Sequence, residues 1–407
     1  MSTSDDRTLI LLTSEYPFGI GESFLDGEVA ALRTRFGTVT IIPTAPRRKL
    51  PASPADGGVL VPTRRVIAAA VAIEVGTHPL RLTRACVSVL RPPSLRRPRV
   101  RSITRVALGV YVGRLSRAIN HSHIHAYWAN APATAAVIAG VVSGRPWSFT
   151  AHRADVVRDD SFAYKMESTR GVRAIGNISR DLLAAHLPLA AASKIRVIPL
   201  IVDPAIRKAP QSPAEDEVNS DVPPRLACIA ALKPVKDHTT LFRCVAELAG
   251  VYPKIELDLF GAGDEEARLR KFADDLGITP NVRFLGHREH AEVLDALSSG
   301  RYTAVVQSSL QVGQLHEGVP VALAEAMVAG VSVVSTSSGG VSELLEGGLG
   351  EMVPCGDPHA LADGVRRTLE LSYEERRTRC DRASRHITAT RGAESVVPRL
   401  LDLMQCQ

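Results

Sequence analysis

Aromatic residues make up only 4% of this 407-residue chain, with two tryptophans, and no apolar run approaches the roughly 18–20 residues of a membrane-spanning helix. Met1 to Arg7 is polar and acidic, and Leu9 to Leu12 reads as a strand rather than the apolar core of a secretion signal. The six cysteines, Cys86, Cys228, Cys244, Cys355, Cys380 and Cys406, are scattered without metal or redox spacing. That points to reduced thiols and a cytoplasmic protein. Lysine is far outnumbered by arginine, so the net charge of +6 is a weak guide to partners, and no nucleic-acid partner is expected. One local absence says more. Arg81 to Arg105 holds Arg81, Arg84, Arg91, Arg96, Arg97, Arg99, Arg101 and Arg105 and no acid. Two readings stand side by side: a solvated basic face, or contact with an anionic surface or acceptor, peripheral to the inner face of a membrane.

What is present is a β/α rhythm long enough for two domains. Thr8 to Thr13 reads as a strand, Ser14 to Phe24 as a Gly-containing loop, Phe24 to Phe36 as a helix and Val39 to Ile42 as the next strand. This opening signals a doubly wound α/β fold. The loop has no Gly-Lys-Ser/Thr, so it is not a P-loop, and it lacks the full dinucleotide fingerprint. Helices are expected over 65–90, 104–119 and 133–142, and strands over 123–127, 147–151, 171–176 and 194–199. The Pro-, Ser- and acid-rich stretch 208–224 reads as a linker between a domain of residues 1–207 and one of residues 225–387. Residues 388–407 are expected to rejoin the first.

The second half converges on one stretch. His316-Glu317-Gly318-Val319-Pro320-Val321 leads into a short helix carrying Glu325, then a buried strand over Val331–Val334 and a Gly-rich turn at Gly339-Gly340. Pro320 suits the first helical position and Gly330 the position just past the helix end. A helix start is an anion site, and here Glu317 and Glu325 bracket it. That suits a ligand with both a diphosphate and sugar hydroxyls. His123 and His125 alternate along one strand and so face one side; no third ligand is evident, and a structural role is preferred. Glu256-x-Asp258 lies in a strand and makes no metal motif.

Glu317-x7-Glu325, Glu-Ala-Met-x-x-Gly and Val-Val-Ser-Thr-x-x-Gly-Gly-Val-x-Glu343 together resemble the signature of retaining glycosyltransferase family 4, of the exopolysaccharide and colanic-acid type. Leu232-Lys233-Pro234-Val235-Lys236-Asp237, Phe260-Gly261-Ala262-Gly263 and Val282-Arg283-Phe284-Leu285-Gly286 fit further blocks of it. In the first half, Glu22-Ser23-Phe24-Leu25 and Phe149-Thr150-Ala151-His152-Arg153-Ala154-Asp155 are similar to such members. The resemblance implies a GT-B fold: two Rossmann-like doubly wound domains facing each other across a cleft. It implies transfer of a sugar, with retention and without a metal or other cofactor, from a nucleotide diphosphate sugar to a hydroxyl on a glycan, a lipid-linked acceptor or a small molecule. Glu317 would face the transferred sugar, Lys236 the diphosphate, Glu325 the ribose hydroxyls, and His152 the sugar. Lys233, Gly318, Val319, Val321, Gly21, Leu285 and His287 complete the implied donor site. Two positions depart from the pattern: Ala231, where members often have arginine, with Lys233 as its candidate substitute, and Pro320, where many have glycine. Two alternatives stay open, a GT-B sugar-nucleotide epimerase and a catalytically silent sugar-nucleotide-binding scaffold subunit.

Overall fold

A computed structural model describes residues 7–19, 22, 24–46, 58–90, 99–158, 162–185, 187–203, 206, 223–311 and 316–404. The chain divides into two compact units, Met1–Leu200 with Ala393–Gln407, and Ile201–Gly392. The expected domain limits were 207 and 388. Most of the expected linker, residues 208–222, lies outside the described residues.

The first unit holds six parallel strands: β1 (Thr8–Thr13), β2 (Thr38–Pro43), β3 (Ser122–Ala126), β4 (Trp147–Ala151), β5 (Gly171–Ala174) and β6 (Ile195–Val197), in the order β2-β1-β3-β4-β5-β6. The second holds β7 (Arg225–Ile229), β8 (Glu256–Phe260), β9 (Val282–Gly286), β10 (Ala304–Gln307), β11 (Ser332–Thr336) and β12 (Glu351–Val353), in the order β12-β11-β10-β7-β8-β9. Helices on both faces bury the strands, and β1 reads accordingly as an apolar run, with Leu9 to Leu12 all inaccessible. In each sheet the chain winds one way and then restarts on the other side of its first strand. That reversal falls between β1 and β3 in one unit and between β7 and β10 in the other.

Three expectations need correction. The helix foreseen over 65–90 is two, Arg64–Thr77 and Pro79–Leu90, bent by 113°. Pro79 cannot donate and drives His78 out of the helical region, to φ −142°, ψ 55°. Pro320 is not the first helical residue: it is extended (φ −75°, ψ 110°) and the helix begins at Val321. The short edge strand β12 was not foreseen, because three residues give too little alternation to read.

In the first unit a buried ion pair ties the sheet to the first helix. Arg173 on β5 meets Glu28 of helix Leu25–Arg33 with Nη1–Oε1 2.5 Å and Nη2–Oε2 2.9 Å, and its Nε donates to the Ile198 carbonyl at 2.8 Å. Both side chains are buried, so losing either would strand a charge. His123 and His125 both reach the Ser148 hydroxyl (2.8 and 2.7 Å), and His125 Nε2 also reaches Thr150 Oγ1 at 2.9 Å. Burial pushes the His123 imidazole down to about 3, so it is neutral. Asp258, of the Glu256-x-Asp258 pair, is gripped by Arg225, Arg283 and the Tyr302 hydroxyl. The five described cysteines are unbridged; Cys406 lies outside the described residues.

Candidate functional site

In open α/β sheets, ligands bind beyond the carboxyl ends of the strands at the point where strand order reverses. The second unit brings its motif residues to that place. After β7 the chain runs through exposed Ala231 and Lys233 into a tight turn, Pro234–Lys236. Asp237, at φ 42°, then caps helix His238–Ala249, its carboxylate accepting from Thr239 Oγ1 and Thr240 Oγ1 at 2.5 and 2.6 Å. After β10 comes Ser308, whose hydroxyl holds the carbonyls of Lys236 and Asp237 (3.0 and 2.8 Å). Leu310 N–H donates to the Val235 carbonyl at 2.9 Å. The two loops are therefore laced together across the reversal.

That lacing lets Lys236 Nζ ion-pair with Glu317 Oε2. Glu317 also accepts from Ser309 Oγ at 3.1 Å and from the Gly318 N–H at 3.2 Å. Burial pushes its carboxyl pKa up, but the Lys236 charge and these hydrogen bonds outweigh burial, and it lies below the usual carboxylate range. The backbone under Glu317 is fixed as firmly. Its N–H donates to Ser338 Oγ at 3.0 Å, and the Ser338 hydroxyl donates to the Leu310 carbonyl at 2.5 Å. Gly339 has φ +57°, and a Cβ there would lie 1.9 Å from the Glu317 carbonyl oxygen. Only glycine lets this turn close on the loop.

Val321, Ala322 and Leu323 open the helix Val321–Val328, so their N–H groups are among its orphan donors. One turn on, buried Glu325 meets His290 Nε2 at 2.7 Å. His290 is the first residue of helix His290–Ser298. Leu285 lies in β9, and His287 follows in the loop between them. The loop after β8 completes the rim. Gly261, at φ +147°, and Gly263 pack on the β7 loop, where added Cβ atoms would lie 2.0 Å from the Ala230 oxygen and 2.2 Å from the Leu232 oxygen.

The structure thus brings Lys236, Glu317, Gly318 and Val319 together with the start of the Val321–Val328 helix, and sets Glu325 beside a histidine. Sequence reasoning missed His290, Ser309 and Ser338. Ser309 had a signal, since small polar residues directly after a buried strand mark a sheet's ligand-facing end. His290 had none, since its partner is 35 residues away.

The first unit has a comparable knot at its own reversal. Glu22, in the loop after β1, accepts from the N–H groups of Ser14 (3.2 Å), Glu15 (2.6 Å) and Tyr16, and from Trp128 Nε1 in the loop after β3. Trp128 stacks on His152 with centroids 4.2 Å apart and rings inclined by 26°. His152 follows β4, and burial pushes its imidazole down to about 3, aided by the Arg173 charge. Its Nε2 is buried without a hydrogen-bond partner among the described residues. A neutral, partnerless imidazole nitrogen is equipped to receive a ligand hydroxyl. Gly21 lies outside the described residues. Among the described residues no group of three His, Cys, Asp or Glu side chains is placed to hold a metal ion.

Residues 214–387 match the family described as glycosyl transferases group 1. A GDP-mannose-dependent monoacylated alpha-(1-6)-phosphatidylinositol monomannoside mannosyltransferase of Corynebacterium glutamicum is 28% identical over 189 residues, 46% of this chain and 49% of its own length. The lipopolysaccharide core biosynthesis glycosyltransferase LpsE of Rhizobium meliloti is 34% identical over 163 residues, 40% of this chain and 41% of its own. The chain spans about half or less of the length of these curated relatives. Among solved structures, Anabaena HepE in complex with UDP and glucose matches with a TM-score of 0.70 at 17% identity, over 98% of this chain and 100% of that one. Sucrose-phosphate synthase of Thermosynechococcus elongatus matches with a TM-score of 0.70 at 16% identity, over 98% of each. At such identities the likeness is one of fold.

Proposed function

We propose that this chain of GT-B fold, whose residues 214–387 match the glycosyl transferases group 1 family, carries out a retaining, metal-independent transfer of a sugar from a nucleotide diphosphate sugar to a hydroxyl acceptor. The observation that carries this reading is the Lys236–Glu317 pair at the strand-order reversal of the second sheet. A diphosphate entering there meets a cation and the first-turn N–H groups of helix Val321–Val328. Both neutralise the charge that grows on the leaving group. The Glu317 carboxylate, held ionised, contacts hydroxyls of the transferred sugar and opposes positive charge at the anomeric carbon. Glu325 receives the ribose hydroxyls, oriented by His290. Lys233 supplies a second positive charge near the phosphates, although it does not reproduce the forked geometry of an arginine. His152 hydrogen-bonds the sugar. The acceptor hydroxyl attacks from the face the diphosphate leaves, and a diphosphate oxygen takes its proton.

The relatives' names divide between GDP-mannose and UDP, so the donor is proposed as a class and the base is left unassigned. Backbone groups around Leu285 to His287 are proposed to read the base. The acid-poor, arginine-rich helices of the first unit favour an acceptor carried at an anionic surface.

Nucleoside diphosphate release from a panel of donors, with and without acceptors, tests the reading. Acceptor-dependent release is expected. Glu317→Ala should abolish it and leave nucleotide affinity within about threefold, whereas Glu325→Ala should weaken nucleotide binding by about tenfold or more. Near-normal turnover in Glu317→Ala would refute the assignment. An epimerised donor without acceptor would establish the epimerase, and donor binding without turnover on any acceptor the scaffold subunit.

A further inference from the structure

Large apolar side chains are exposed mainly in one region of the first unit. Val66 (47%), Ile73 (48%), Val75 (50%) and Leu80 (78%) stand out to solvent, and Val87 and Ile103 join them; elsewhere the described residues expose only Leu189, Val251 and Met352, one at a time. The helix Arg64–Thr77 is unusual for a surface helix. Between Val66 and Gly76 every exposed residue is Val, Ala, Ile or Gly. A solvent-facing helix ordinarily carries charge on that side. Val66 and Ile73 lie seven residues apart on one flank, Val75 lies on the other, and only small residues separate them, so the outward face is broad, smooth and apolar. Leu80 and Val87 repeat the seven-residue spacing on the helix beyond the bend.

The charge of the region has one sign. Between Asp56 and Asp155 the only acid is Glu74. It is buried under the helix and held by Arg114 at 3.1 Å and Arg117 at 2.8 Å. The outward surface is left with exposed Arg64, Arg65, Arg81 and Arg84. The run Arg91 to Pro98 lies outside the described residues, and in sequence it only adds arginine.

We propose that the bent pair Arg64–Thr77 and Pro79–Leu90 is a docking surface for a bilayer bearing anionic lipid. Helix Arg64–Thr77 lies in the interface with Val66, Ile73 and Val75 sunk to the headgroup–acyl boundary, and Arg65, Arg81 and Arg84 meet lipid phosphates. No single described helix is long and apolar enough to cross a membrane; the two helices together have the length and composition of a broken span, but they bend by 113° and hold Glu74 of their inner face to Arg114 and Arg117, which makes the mode interfacial. Charge argues against a second copy of the chain as the occupant. A two-fold contact would bring these arginines against one another, and the only acid of this stretch of sequence, Glu74, is buried and already paired. The proposal moves the contact from the arginine run singled out in the sequence to the apolar face beside it, with arginine as the outer ring. It does not depend on the reaction proposed above, since docking is read without turnover.

The full chain is sedimented with phosphatidylcholine vesicles, with and without phosphatidylglycerol, at low salt and at about 0.15 M salt. Binding to the anionic vesicles, weakened by salt and slight on the neutral ones, is expected. Val66→Glu/Ile73→Glu, at exposed positions, should lose at least about tenfold in vesicle affinity with an unchanged unfolding midpoint. Arg81→Gln and Arg84→Gln should each lose about fivefold. Ile73→Trp should bind more tightly with an unchanged unfolding midpoint. Failure of the wild-type chain to sediment with anionic vesicles at low salt would overturn the proposal, as would wild-type binding by Val66→Glu/Ile73→Glu. So would a solution dimer, dissociated by Ile73→Glu, in a chain that ignores vesicles.

Discussion

Replacing Lys236 by methionine keeps most of the side-chain volume and removes the cation facing Glu317. Breaking a fully buried pair costs about 3–5 kcal/mol. Here the Lys236 and Glu317 side chains keep 19% and 16% of their exposure, and Glu317 retains donors at Ser309 and Gly318. We therefore expect about 2 kcal/mol at neutral pH, or about a 30-fold rise in local opening of the 316–341 segment. Its pH dependence is the discriminating part. In the wild-type chain the Glu317 pKa is depressed below its model-peptide value of 4.5; its contribution is complete above 4.5 and is lost as pH falls through the folded value. Without Lys236, burial is opposed only by the two hydrogen bonds, so the folded pKa moves upward. The variant then carries a penalty at neutral pH that fades as the carboxyl protonates, and its deficit against wild type should shrink as pH falls. Lys236→Met/Glu317→Gln should recover about 1 kcal/mol over the single variant. Both tryptophans, Trp128 and Trp147, belong to the first unit, so indole fluorescence does not report this site. Hydrogen exchange on peptides covering 316–341 does. A strictly additive cycle, or a deficit independent of pH, would refute the reasoning.

Three other perturbations reach different parts of the molecule. Gly339→Ala sets a Cβ against the Glu317 carbonyl at a positive φ, and should cost about 3 kcal/mol or more with loss of nucleotide affinity; an unfolding midpoint equal to wild type would count against the described loop. Glu22→Ala frees the Trp128 indole and the N–H groups of residues 14–16. Tryptophan emission should shift to the red while Trp147 stays buried, and an unchanged spectrum would show that Glu22 does not hold the indole. Burial lowers the imidazoles of His123 and His152 to about 3 and that of His238 to about 4. The unfolded chain therefore binds protons first. Stability is whole above about pH 6.5 and falls below it, by up to about 1.4 kcal/mol per pH unit for each group. His123→Gln should flatten that acid limb in urea titrations, and an identical slope would remove His123 from the account.

Much of the fold was legible because parallel strands buried on both faces must be apolar without interruption. Leu9–Leu12 announces itself that way, and Trp147–Ala151 and Val331–Val334 do so with only a small Ser or Thr between the apolar residues. Glycine after strands, as at Gly261 and Gly339, marks where loops approach one another. What stayed hidden was long-range or depended on detail. Whether Pro320 stands inside the helix or just before it turns on one ψ angle. The pairing of Glu325 with His290 depends on how two helices pack. Trp128, stacked on His152 and held by Glu22, joins three loops that are far apart in sequence. The apolar outer face of Arg64–Thr77 was concealed by a different effect: residues such as Ala68, Ala69 and Ala72 look like core until the fold shows which side is covered.

The chain leaves the first unit at Leu200 and comes back to it at Ala393. Where the two crossings run side by side, Val202 N–H donates to the Arg391 carbonyl at 3.0 Å. The returning helix, Ala393–Met404, closes on the first sheet; Leu403 packs so tightly at Gly171 that a Cβ there would lie 2.6 Å from it. During synthesis the second unit can therefore be complete while the first still waits for its last helix. The half of the molecule made first is the half that finishes last. Until then Val396, Val397, Leu400 and Leu403 are missing from its core, and a nascent chain stalled before residue 393 would present a closed C-terminal unit beside an open N-terminal one.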